Sequence, residues 1–137
     1  MSTNNRTSSI PNRKYILVLS ASQYLSGHPI SEVIRTDWTK DKARKIAAEF
    51  DNVGFDIDPT ADTASTLESL QRVLQARWWD GVIIGWCVRS HVEFTVLFEQ
   101  IVRTVAGQVL VQPGLKIMFC AGPEDLVQTT LRNCPSE

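Results

Sequence analysis

The sequence has few of the residues that declare a chemistry. Of its 137 residues only three are cysteines and two are histidines. Cys87, Cys120 and Cys134 form no CxxC pair and the histidines stand far apart, so no metal site is expected; an odd count fits reduced thiols better than a disulfide framework. Seven glycines and six prolines are too few for a collagen-like or low-complexity chain. Charge of one sign is lacking too. Fourteen basic residues against fifteen acidic ones leave a net charge of -1, which excludes long-range attraction to a phosphate backbone or an anionic membrane. Neither nucleic acid nor membrane is therefore an expected partner. No apolar run approaches a membrane span, and the polar opening MSTNNRTSSIPNRK lacks the apolar core of a secretory signal, so the cytoplasm is the expected compartment. Without such a signal the glycosylation pattern Asn5-Arg6-Thr7 is a chance match.

What remains is an ordinary globular composition, 43% hydrophobic and 21% charged, of a length that encloses one core. One domain is expected over residues 14–133, between a polar tail at 1–13 and a short tail at 134–137. KYILVLS (14–20) is an apolar run suited to a strand buried on both faces. A long polar segment, ASQYLSGHPISEVIRT, follows, in which ISEVIR can add a turn of helix. Ala43, Ile46, Ala47 and Phe50 recur at helical spacing and predict a helix from Asp37 to about Phe50, with Lys40, Lys42, Arg44 and Lys45 on its solvated face. VGFDIDP alternates as a half-buried strand near a sheet edge.

The second half repeats the pattern. Ser65 and Glu68 have capping-box spacing ahead of a stripe of Leu67, Leu70, Val73 and Leu74. Val82 to Cys87 makes a third strand, and Ser90 with Glu93 caps a helix carrying Phe94, Leu97, Phe98, Ile101, Val102 and Val105. LKIMFC is the fourth strand, and Gly122-Pro123-Glu124-Asp125 opens a last helix. Four strands alternating with four helices predict an α/β fold: a three-layer sandwich around a four-stranded parallel sheet of order 2-1-3-4. Ligands of such sheets bind outside the carboxyl ends of the strands where the winding reverses, here between strands one and three.

That rule gathers Ser22, Gln23, Tyr24 and His28 from the first loop, Gly85 to Glu93 from the third strand's end, and Cys120 from the fourth. Arg89, placed before a helix amino terminus, suits a carboxylate or phosphate, or else pairs with Glu93. Ser90 is economically a cap, although it borders the same site. His91 and His28 are candidate acid/base groups, or solvated surface imidazoles. Cys120 before a helix start is a candidate nucleophile, or a small core side chain. Gly85 permits a bulge or the close approach of a ligand or another backbone, and Trp86 lines a pocket or packs in the core.

In outline this pattern resembles two flavodoxin-like families. Receiver domains carry acidic residues after strand one, an aspartate at the end of strand three and a lysine after a later strand; here LSASQ, VIIGWC and MFCAG fill none of these roles. Flavodoxins hold a flavin phosphate on a Ser/Thr-rich loop, to which SASQYLSG is similar, and the resemblance would make Tyr24 and Trp86 the aromatic pair. With no GxGxxG after strand one and no GxxxxGK[ST], no cofactor is expected. DGVIIGWCVRSHVEFTVLFEQIV is also similar to small single-domain α/β proteins of unassigned function. Two functions are therefore expected to compete. One is small-molecule binding at the carboxyl edge, with or without cofactor-independent acid/base catalysis. The other is a receiver-like interaction module or homodimer, motivated by adjacent Trp78 and Trp79.

Overall fold

The computed structural model describes residues 13–135. Strands β1 (Lys14–Ser20), β2 (Phe50–Asp56), β3 (Gly81–Ile84) and β4 (Lys116–Phe119) form one parallel sheet in the order β2-β1-β3-β4, as expected. Helices α1 (Ser22–Ser26), α2 (Ile30–Trp38), α3 (Thr63–Gln75), α4 (Trp86–Arg89), α5 (Thr95–Val109) and α6 (Leu126–Asn133) complete a flavodoxin-like sandwich. The period of β1 builds both outer layers. Leu17 and Leu19 join a cluster with Leu70 and Leu74 of α3 and Ile101 and Val105 of α5. Ile16 and Val18 join the opposite cluster with Ile30, Ile34 and Trp38 of α2 and Leu126 and Val127 of α6. Burying each such side chain contributes about 1.5–3 kcal/mol, so β1 anchors both cores.

Three expectations about the helices are corrected. The helix from Asp37 to Phe50 does not form. The helical stripe is instead Ile30, Ile34 and Trp38, α2 ends at Trp38, and short 3-10 turns at Asp41–Ala43 and Ala47–Glu49 lead into β2. Much of the supposed loop after β1 is thus helix. Second, α3 is capped by Asp62, whose Oδ2 accepts from the Ser65 N–H (3.1 Å) and hydroxyl (2.9 Å), and not by Ser65 itself. Third, β3 stops at Ile84, and Trp86 and Cys87 belong to α4; Ser90 lies at the end of that helix and caps neither the 3-10 turn Val92–Phe94 nor α5.

The expected amino-terminal tail lies, apart from Arg13, outside the described residues. At the other end, Cys134 is buried in the cluster that holds Leu126 and Met118. No helix among the described residues is long and apolar enough to cross a membrane.

Candidate functional site

The chain leaves β1 over the α2 and α6 face and leaves β3 over the α3 and α5 face, which opens a crevice between their carboxyl ends. Gly85 sets the width of its floor. Its N–H donates to the Leu19 carbonyl at 2.7 Å, and a Cβ there would stand 2.6 Å from the same oxygen. The close approach foreseen at Gly85 is thus to the backbone of β1. Gly85→Ala is expected to cost about 1–3 kcal/mol by overpacking, measured by urea unfolding.

Local bonds then turn α1 and α2 toward the crevice. Gly27 adopts a left-handed φ of 79° that ends α1 after five residues. The buried Ser22 hydroxyl donates to the His28 carbonyl at 2.7 Å, and the Ser26 hydroxyl donates to Ser22 O at 3.0 Å. Asp56 at the end of β2 accepts the Ile30 N–H at 2.9 Å and fixes the start of α2. His28 Nδ1 then lies 3.2 Å from Glu32 Oε1, one turn along that helix.

On the other wall His91 Nδ1 lies 2.7 Å from the Cys87 carbonyl. A carbonyl only accepts, so Nδ1 carries the hydrogen and Nε2 is the acceptor of the neutral ring. Between these walls is a cleft of about 580 Å³. Leu25, Val33, Trp86 and Pro123 supply its apolar lining, and His28, Glu32, Lys40, His91 and Glu124 supply most of its polar groups. Ser22, Ser26, Thr36 and Cys87 complete it. Burial pushes the Cys87 thiol above its ordinary value, partly countered by a hydrogen bond from Ser20.

A buried carboxylate braces the cleft's outer wall. The Asp37 side chain is 1% exposed; its Oδ2 accepts the Val127 N–H at 3.0 Å and caps α6 from a distant element. Its Oδ1 is 2.9 Å from Lys42 Nζ and 3.4 Å from Lys40 Nζ. Burial works against the Asp37 charge, but the Lys42 bond, the Val127 N–H and the lysine charges prevail and hold its pKa below the ordinary value. Lys42 also donates to Glu124 O (2.8 Å) and Gln128 Oε1 (2.9 Å), which occupies its three hydrogens. Lys40 has Asp37 as its partner among the described residues and keeps donors to offer the cleft.

The chain matches no family model, no curated protein and no solved structure. The chemistry of the cleft is therefore the ground for a functional reading.

Four of the nine expected site residues line this cleft: His28, His91, Ser22 and Trp86. The other five do not. Tyr24 is exposed outside it, Gly85 is buried beneath it, and Ser90 is exposed with its hydroxyl 3.3 Å from His91 Nδ1. Arg89 does not stand before the long helix; it closes α4 and donates to the Cys120 carbonyl at 2.9 Å, not to Glu93. Cys120 is fully buried, and burial pushes its thiol up to about 11, so it stays protonated and poorly nucleophilic near neutrality. Glu32, Val33, Thr36 and Lys40 were not anticipated. Their signal was the spacing of Ile30, Ile34 and Trp38, which makes a helix of the supposed loop and turns an adjoining face toward the cleft. Among the described residues, no group of three or more metal-ligating side chains is placed to hold an ion.

Proposed function

We propose that the protein binds a small carboxylate- or phosphate-bearing molecule in the cleft at the carboxyl edge of its sheet, with Lys40 in the anion-holding role expected of Arg89. One observation carries the reading: the chain's two histidines, 63 positions apart, line the same cleft. A largely apolar concavity with a few convergent polar groups is the usual form of a small-molecule site. Trp86, Leu25, Val33 and Pro123 supply its apolar part, and Lys40 with the imidazoles supplies the polar part. Cofactor-independent acid/base catalysis by His91 and His28 is the enzymatic form of this proposal.

A thermal-shift screen against small carboxylates and phosphate esters tests it. A ligand at about 100 times its Kd adds about 2.7 kcal/mol of stability. Lys40→Ala is expected to weaken that ligand by about 1.5–3 kcal/mol, the range of a hydrogen bond to a charged group, while Arg89→Ala leaves it unchanged. A panel without a stabiliser, or one whose stabilisers ignore Lys40→Ala, sinks the assignment.

A second reading, assembly with another copy of the chain, has its own observation. At the amino edge of the sheet Trp78 is 63% exposed, with Leu110 and Val111 exposed on the adjoining loop. Gln112 ties the two loops together, accepting from the Trp79 N–H at 3.0 Å and donating to Arg77 O at 3.1 Å. Loss of monomer with rising concentration, reversed by Trp78→Glu, would favour this reading.

A further inference from the structure

We infer that the two imidazoles of the cleft form a proton-transfer pair acting on an enolisable 2-oxo acid with an apolar body. The inference rests on the cleft being a ligand site and names its substrate class and chemistry. Acyl transfer is disfavoured by what the other side chains do. The Ser22 and Ser26 hydroxyls donate to backbone carbonyls, so neither has its proton on a base, and the Cys87 thiol is held protonated by burial. The imidazoles remain, and their Nδ1 atoms are differently engaged. His91 is bound to a carbonyl at 2.7 Å, so its Nδ1 carries a hydrogen and the lone pair of its neutral tautomer is on Nε2, where a base needs it. His28 is paired at 3.2 Å with the Glu32 carboxylate, a charge-assisted partner for a ring that delivers a proton.

The step balances without a cofactor. His91 Nε2 takes the proton from the carbon next to the ketone, and the C–H electron pair becomes the carbon–carbon double bond of the enol. The carbonyl π pair takes the proton from His28 Nε2–H, so one proton is removed and one delivered. Lys40 suits the carboxylate of such a substrate, and Trp86, Leu25 and Val33 suit its apolar body.

Phenylpyruvate is the probe, with exchange of its C3 hydrogens for deuterium in D2O followed by proton NMR and binding read in the same tube by saturation transfer. Wild type is expected to exchange about 100-fold faster than free imidazole at equal concentration. His91→Asn, whose amide can still donate to Cys87 O but which lacks the imidazole base, is expected to lose that 100-fold while still binding. His28→Asn is expected to slow exchange as well. Phenylpyruvate that binds but exchanges no faster than with imidazole, or exchange unchanged in both variants, overturns the proton-transfer pair and leaves the binding site standing. Phenylpyruvate that does not bind overturns the substrate class, and the carboxylate and phosphate screen then decides the site separately.

Discussion

Asp37→Ala is expected to destabilise the protein by about 1.5–3 kcal/mol, the range of a hydrogen bond to a charged group, because a buried carboxylate is lost while its lysine partner stays partly exposed. The carboxylate holds Lys42 at 2.9 Å and caps α6 through the Val127 N–H, so its loss leaves a lysine and a helix end short of partners. Urea unfolding measures the change. Because the folded pKa lies below the unfolded one, this contribution is fully present above the unfolded value and is lost as pH falls through the folded value. Asp37→Asn, which has no charge to lose, is expected to show a flatter decline over that acidic window. The lesion also reaches the cleft, since Lys42 holds the Glu124 carbonyl beside it. A loss below about 1 kcal/mol would show that solvent replaces the network.

Trp79→Ala is expected to cost about 3–5 kcal/mol, whereas Trp78→Ala stays within about 0.5 kcal/mol. The two are neighbours with opposite environments. Trp79 is 2% exposed in the α3 and α5 core, donates its indole N–H to Val73 O at 3.1 Å and is tied through its backbone to Gln112. Trp78 faces solvent. Thermal and urea unfolding of both variants separate the cases, and equal losses would contradict the packing described.

The sheet was legible because its signals are local and mutually consistent. KYILVLS is apolar at successive positions, as a strand covered on both faces must be, and the alternation of apolar runs with amphipathic ones leaves few topologies. Helix boundaries were less legible because tertiary contacts set them. Ala43 and Phe50 lie at helical spacing, but each reaches the core from a turn or strand. Asp37 opens the helix that the local spacing predicts, and in the fold it caps α6, 90 residues away. Ser90 and Glu93 have the spacing of a capping box, but the chain turns into α4 directly after Gly85, which moves Ser90 to the end of that helix.

The same reasons divide the site. The strand-edge rule brought His28, Ser22, Trp86 and His91 together because it depends only on strand order. Arg89 falls elsewhere because its expected role depends on where the next helix starts, and α4 ends on Arg89 while α5 starts at Thr95. Lys40 carries the pattern of a solvated helical face, but α2 ends at Trp38 and leaves it beside Asp37 at the cleft.

The most direct test of the cleft is a titration of the 15N-labelled protein with the strongest stabiliser from the carboxylate and phosphate-ester screen, followed amide by amide. The account predicts saturable shifts concentrated in residues 22–28 and 86–91 and at Lys40 and Glu124, and their loss with Lys40→Ala. A spectrum that does not move, or one whose largest changes fall at Trp78, Leu110 and Val111, would contradict it.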